Sequence, residues 1–227
     1  MTTFVLVHGG WCTGEVWADV AGRLRANGYH TKVVDRLPSV GSRPEELGDL
    51  AADAAHLREI LDNLDDVVLV AHSYGGFPVT EVADHPALRH TVYLASFWPN
   101  GGESLLQIRS SHPEQWLDVR DDGSIAVTAD LAIAQAVLAA DLAPERFARL
   151  HPRLQLQSAA SFAACSAGAA QRRHRTTYAV CLQDRAIHTA DQRRMAKSAD
   201  RVVEIDAAHL AMISAPDAVS ALLLGLA

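Results

Sequence analysis

Three side chains in this sequence have the types and spacing of a nucleophile, a base and an acid: Ser73, His209 and Asp184. The serine lies in residues 66–80, where the apolar run Val67-Val-Leu-Val70 breaks abruptly into Ala-His-Ser-Tyr-Gly-Gly. Val67 to Val70 reads as a buried strand, and Phe77 to Ala83 as a helix. Ala71 and Gly75 stand two residues either side of Ser73, so strand and helix can approach closely there. Such a turn is a nucleophile elbow, which holds a serine in strained backbone and presents its hydroxyl above a sheet. Its usual form is G-x-S-x-G, and Ala71 here replaces the first glycine with one extra methyl group. An ordinary Ser-Tyr-Gly-Gly turn after a strand is the competing interpretation.

A serine hydroxyl is a weak nucleophile at neutral pH and needs a base, itself oriented by an acid. The chain order expected after an elbow is Ser, then Asp or Glu, then His. Among eleven histidines, His209 in Asp206-Ala-Ala-His-Leu follows directly on the last expected strand, Val202 to Ile205. Open parallel sheets place their reactive groups at that carboxyl end. His72 adjoins the serine and should point away from it as a structural residue. His188 is a weaker rival, and His112, His151 and His174 lack strand-end placement. Asp184 ends Tyr178-Ala-Val-Cys-Leu-Gln-Asp, in the loop after the preceding strand. Asp206 is its rival, but lies close in sequence to His209; Asp191 reads as the start of a helix. Acyl transfer also needs donors aimed at the developing oxyanion. The backbone N–H groups of Tyr74 and Gly10 are the candidates, because Gly9-Gly10-Trp11 after the first strand lets backbone approach a substrate.

The elements needed to position these groups follow in order. Phe4 to Val7 is a strand, Glu15 to Ala26 a helix ending at Asn27-Gly28, and His30 to Val34 a second strand. A helix carries Leu47, Leu50, Ala51, Ala54, Leu57, Leu61 and Leu64 at steps of three and four. After the elbow come strands at Thr91 to Ala95, Tyr178 to Leu182 and Val202 to Ile205, and a closing helix near Pro216 to Leu224. This alternation indicates βαβ units and a mostly parallel sheet covered on both faces. Residues 97–175 interrupt it with a turn at Asp121-Asp122-Gly123 and alanine-rich helical stretches around 129–140, 144–150 and 157–170. They read as a helical cap inserted into one domain spanning 1–227.

Composition sets outer bounds. The 227 residues are 49% hydrophobic and 21% charged, which suits a globular protein with one large core. A net charge of -7 argues against nucleic acid or an anionic membrane surface as partner. Cys12, Cys165 and Cys181 have neither disulfide-framework nor metal-type spacing, so no metal site is expected and a reduced, cytoplasmic setting is. The N-terminus lacks a basic region before its short apolar run and reads as a strand.

With these residues in hand, the chain resembles the α/β-hydrolase superfamily, in the branch of plant hydroxynitrile lyases, plant methylesterases and bacterial esterase-like proteins. The resemblance rests on Phe-Val-Leu-Val-His-Gly-Gly with Trp17 nine residues after His8, on the elbow, and on Tyr93-Leu-Ala-Ser-Phe-Trp-Pro-Asn-Gly-Gly-Glu-Ser. Gln183-Asp184-Arg-Ala-Ile and His209 before a final helix complete it. It implies a six-stranded α/β-hydrolase fold, Ser73, Asp184 and His209 as triad, and no metal or organic cofactor. The lyases of that branch look to carry a lysine directly after the catalytic histidine and a threonine directly after the first-strand histidine. Leu210 and Gly9 occupy those positions here, so the esterase-type members are the better match.

The expectation is a hydrolase of a small, largely apolar or aromatic carboxylic ester, working through an acyl-enzyme. Trp11, Phe97, Trp98, Leu210 and Met212 are candidates to line its pocket. A small-molecule substrate is the expected partner, without nucleic acid or membrane, and a homodimer is compatible with the sequence. The alternatives are a lyase, dehydratase or cyclase using the same triad as acid and base, or a non-catalytic ligand-binding relative.

Overall fold

A computed structural model describes residues 2–109, 115–169 and 172–227. The chain opens with strand β1 (Thr3–Val7), helix α1 (Ala18–Ala26), strands β2 (His30–Val33) and β3 (Val40–Gly41), and helix α2 (Leu50–Leu61). Strand β4 (Val67–Ser73), helix α3 (Gly76–Glu81) and strand β5 (Leu88–Ser96) follow. The next stretch holds α4 (Leu105–Ile108), β6 (Leu117–Val119), β7 (Ser124–Val127), α5 (Leu131–Leu138), α6 (Pro144–Leu150), β8 (Leu156–Ser158) and α7 (Ala159–Ala163). The chain closes with β9 (Arg175–Cys181), α8 (Thr189–Ala196), β10 (Arg201–Ile205), α9 (Ala211–Ser214) and α10 (Pro216–Leu224).

Six strands form one parallel sheet in the order β10-β9-β5-β4-β1-β2. The apolar runs of β1 and β4 sit at its centre and are buried throughout, as strands covered on both faces must be. β2, at the edge, is exposed or half-buried along its length. Strand order reverses between β1 and β4, because β1 leads outward to β2 and the chain then crosses back. Right-handed crossovers place α1 on one face and the helices of the return path on the other. Contacts of α1 with α10, and of α2 with α3, agree with this division. Such a reversal opens a crevice at the carboxyl ends of the two central strands. No helix among the described residues is long and apolar enough to cross a membrane.

The stretch between β5 and β9 departs from an all-helical insertion. α5 and α6 fall where the alanine-rich pattern placed them, but residues 157–170 hold the end of β8 and the short α7 instead of one helix. A second, four-stranded antiparallel sheet runs β3-β8-β7-β6. Asp121-Asp122-Gly123 turns its β6–β7 hairpin, with Gly123 at φ 81. These strands have two to four residues, too few for a period-two pattern, and β3 lies more than a hundred residues from its partner β8. Pairing across that distance leaves no local signal.

The first residue of α3 shows how closely the elbow packs. A Cβ on Gly76 would strike the Phe97 carbonyl oxygen and the Ser96 hydroxyl at the end of β5. Backbone there has little room to yield, so Gly76→Ala is expected to destabilise the fold by about 1–3 kcal/mol despite alanine's better helix propensity. A lowered urea midpoint at unchanged m-value would show it; an unchanged midpoint would mean that the end of β5 shifts freely.

Candidate active site

Ser73 is the last residue of β4 and sits at φ 52, in the left-handed region. That conformation costs a non-glycine residue roughly 1–3 kcal/mol and persists only where surroundings impose it. Here the Ser73 carbonyl accepts hydrogen bonds from the Ser96 hydroxyl at 2.8 Å and the Phe97 N–H at 3.1 Å. A Cβ on Gly75 would lie 2.6 Å from the His8 carbonyl oxygen. One on Gly9 would lie 2.7 Å from Cβ of Ser73. Small residues at these positions let the loop after β1 touch the turn after β4. Ala71 is fully buried, so the extra methyl is accommodated within the packing.

The loop after β1 is shaped by His8. Its Nδ1–H donates to the Gly9 carbonyl at 2.8 Å, and its Nε2 accepts the Leu37 N–H at 3.0 Å, which fixes the tautomer. Burial pushes the ring down to about 4, so it is neutral at pH 7. Trp11, at φ 59, ties the same loop to the antiparallel sheet. Its indole N–H donates to the Ile125 carbonyl at 2.8 Å, and its carbonyl accepts the Gln155 N–H at 2.7 Å.

At the carboxyl ends of β9 and β10, the His209 Nδ1–H donates to Asp184 Oδ2 at 2.8 Å, with both residues buried. The other oxygen of Asp184 accepts the N–H groups of Ala186 at 2.8 Å and Ile187 at 3.0 Å. Gln192 donates to Asp184 Oδ2 at 2.8 Å and accepts the Cys181 N–H at 3.0 Å, locking the carboxylate to the end of β9. The His209 loop is held on both sides by the insertion. Ala208 N–H donates to Asp141 at 2.8 Å, and Leu210 N–H to the Leu138 carbonyl at 3.1 Å. His72 donates through Nε2 to the His209 carbonyl at 3.0 Å, its ring 4.6 Å from that of His209. Burial and the neighbouring His209 push His72 well below the usual histidine range, so it braces as a neutral ring.

The rivals lie elsewhere. Asp206 is exposed and accepts from Gln183, while Asp191 opens α8 and pairs with Arg194. His188 is exposed; His151 binds the Thr128 carbonyl and His174 the Thr91 hydroxyl. His112 lies outside the described residues. Burial pushes the Cys12 thiol up to about 12, which keeps it protonated. Gln192 and Asp141 had no sequence motif to announce them. Gln192, polar on the buried face that includes Met195 and Ala196, was the nearest to a readable signal.

Two cavities meet at Ser73 and His209. The larger, where about 30 Å³ is open to a water-sized sphere, is walled by Trp11, Phe97, Leu105, Trp116, Phe162 and Ile187, with Tyr74 and Arg109 also at its surface. The smaller, where about 10 Å³ is open to a water-sized sphere, has Cys12, Leu138, Leu154 and Leu210 beside Gly10, with Trp11 and His72 also at its surface. Of the five pocket candidates, Trp11, Phe97 and Leu210 line these walls. Trp98 and Met212 line neither. Trp98 is stacked on Tyr93 at 4.3 Å and Met212 is fully buried in the core, so both serve packing.

Residues 4–222 match the profile of the Alpha/beta hydrolase family. The chain belongs to that family. Among curated relatives of this α/β-hydrolase, the carbendazim hydrolyzing esterase of Nocardioides sp. (strain SG-4G) is 41% identical over 115 residues, 48% of this chain and 47% of the relative. Methylesterase 7 of Arabidopsis thaliana is 29% identical over 257 residues, 99% of this chain and 95% of the relative. The chain thus spans about half the length of the first and nearly all of the second. The crystal structure of polyneuridine aldehyde esterase superposes with a TM-score of 0.84 at 21% identity, covering 100% of this chain and 99% of that one, a likeness of fold.

His8 makes the loop between β1 and α1 sensitive to acid. Its folded-state value lies below the unfolded one, so its stabilising contribution is complete above about 6.5 and is lost as pH falls toward 4. Relative to a His8→Gln variant, the parent should lose up to about 3 kcal/mol of unfolding free energy between pH 7 and pH 4. Parallel pH profiles for the two proteins would show that His8 is not the titrating group.

Proposed function

We propose that the chain is a carboxylic-ester hydrolase with Ser73, His209 and Asp184 as its triad. The observation that carries this is a serine held at φ 52 at the end of β4, sharing both cavities with a histidine whose Nδ1 is bonded to a buried aspartate. Asp184 fixes the tautomer in which Nε2 of His209 is the proton acceptor. Ser73 Oγ attacks the ester carbonyl while His209 takes its proton, and the oxyanion draws on the N–H groups of Tyr74 and Gly10. His209 then protonates the departing alcohol, leaving an acyl-serine. Water, deprotonated by the same histidine, releases the acid and restores the serine. No step calls for a metal or an organic cofactor.

The linings of the two cavities favour an ester with one aromatic or bulky apolar part and one small apolar part. The aromatic-walled cavity suits the first and the space between Cys12, Leu138 and Leu210 the second. Residues 97–175 act as the cap, since Trp116 and Phe162 from this stretch wall the larger cavity. Two relatives bear the names esterase and methylesterase, in keeping with this chemistry. Cyanohydrin cleavage is disfavoured by Leu210, which offers no cation after His209.

Fluorophosphonate should label the parent at Ser73, nitrophenyl esters should give an acyl-enzyme burst, and Ser73→Ala should abolish both. Labelling that survives in Ser73→Ala sinks the assignment. Asp184→Asn should lower kcat by roughly 10⁴; an unchanged rate would move the orienting role to another group.

A further inference from the structure

One buried polar network near the elbow has no part in the proton transfers described above. Asp53 lies on the buried stripe of α2, at the step between Leu50 and Leu57 where an apolar residue is the ordinary choice, and it is completely inaccessible to solvent. Its Oδ2 accepts the Tyr74 phenol O–H at 2.6 Å, and its Oδ1 accepts the Ser39 N–H at 2.8 Å. From Ser39 the network continues through Gln157, whose Nε2 donates to the hydroxyls of Ser39 at 3.0 Å and Ser161 at 2.7 Å. Gln157 Oε1 is buried without a partner among the described residues, and it would lie 3.3 Å from a Cβ on Gly10. Both residues assigned to the oxyanion thus adjoin one network, Tyr74 by a direct bond and Gly10 by close approach.

Packing alone does not account for this arrangement. The Tyr74 ring is already stacked on Phe77 at 6.2 Å and flanked by Phe162 at 5.4 Å, so an apolar pair could fill the same space without burying a carboxylate. What the polar pair adds is direction. The Tyr74 N–H belongs to the peptide that follows Ser73, whose φ of 52 is strained, so that peptide swings if the strain relaxes. A side chain fixed at its tip as well as its faces resists that swing.

We propose that Asp53 is a positioning residue for the oxyanion site: through the Tyr74 phenol it holds the N–H of the residue after the nucleophile in the orientation that the transition state needs. This rests on the ester-hydrolase reading of Ser73. Burial pushes Asp53 up to about 6, so above that pH it is the carboxylate that accepts from the phenol, a strong, charge-assisted bond. A donor aligned for an oxyanion acts on the transition state and not on the bound ester, so its loss lowers kcat and leaves KM in place.

The test compares Tyr74→Phe, Asp53→Asn, Asp53→Ala and the double variant Tyr74→Phe with Asp53→Ala, using a nitrophenyl ester and the rate of fluorophosphonate labelling. Tyr74→Phe keeps the ring and removes the tether. It should lower kcat and labelling rate about tenfold, short of the 10²–10³ for outright loss of an oxyanion donor, with KM within about twofold. Asp53→Asn keeps an acceptor for Ser39 and a donor for the phenol oxygen, and should retain most of the parental kcat. The double variant should be no slower than Tyr74→Phe, because both substitutions remove one tether. Should Asp53→Ala fail to fold, Tyr74→Phe set against Asp53→Asn decides the matter. A labelled parent with an equally fast Tyr74→Phe overturns the role of the tether alone, as does a variant that loses thermal stability but no kcat. A parent that resists labelling at Ser73 overturns the ester-hydrolase reading and this role with it.

Discussion

The arrangement depends first on how closely two turns can approach at the centre of the sheet. β1 and β4 are neighbours at the point where strand order reverses, and their carboxyl ends bring Gly9 against Ser73 and Gly75 against the His8 carbonyl. Any side chain at either glycine would force the turns apart. Contact between them sets the serine above the sheet, places Gly10 beside it, and imposes the left-handed backbone at Ser73. Strain of that size is stable only because several independent bonds hold the same few residues, among them those from Ser96 and Phe97 to the Ser73 carbonyl.

Around that contact the charged and polar groups are organised in two buried sets. Asp184, Gln192, His209 and His72 form one, in which every member is tied to backbone at the end of a strand or to the next member. Asp53, Tyr74, Ser39 and Gln157 form the other. The hydrogen bonds of both sets define orientation more sharply than apolar packing of the same volume would, although His72 Nδ1 and Gln157 Oε1 have no partner among the described residues. The insertion is joined to each: Asp141 and Leu138 hold the His209 loop, Gln157 reaches the Ser39 hydroxyl, and Ile125 and Gln155 bind Trp11 in the loop after β1.

Much of the fold was legible from local pattern. The apolar runs of β1 and β4, the three-and-four spacing of α2 and the closing helix at Pro216–Leu224 are signals that a few adjacent residues carry by themselves. The antiparallel sheet was not legible, since its strands are very short and β3 reaches its partner across about half of the chain. Asp53 carries no sequence motif, and nothing local says that Tyr74 is what it meets.

The sequence by itself determined the type of each candidate group and its order along the chain. Strand-end placement singled out Ser73, Asp184 and His209, because an elbow and a strand terminus are local features. Only tertiary structure decided which aspartate the histidine meets, which aromatic residues become cavity wall and which become core, and how many further residues hold the candidate ones in place. Trp98 and Met212 look no different from Trp11 and Phe97 in the sequence, yet one pair packs inward and the other faces the cavity. The physical reason is that facing and pairing depend on residues distant in the chain, whereas chemical type and strand endings are written where they stand.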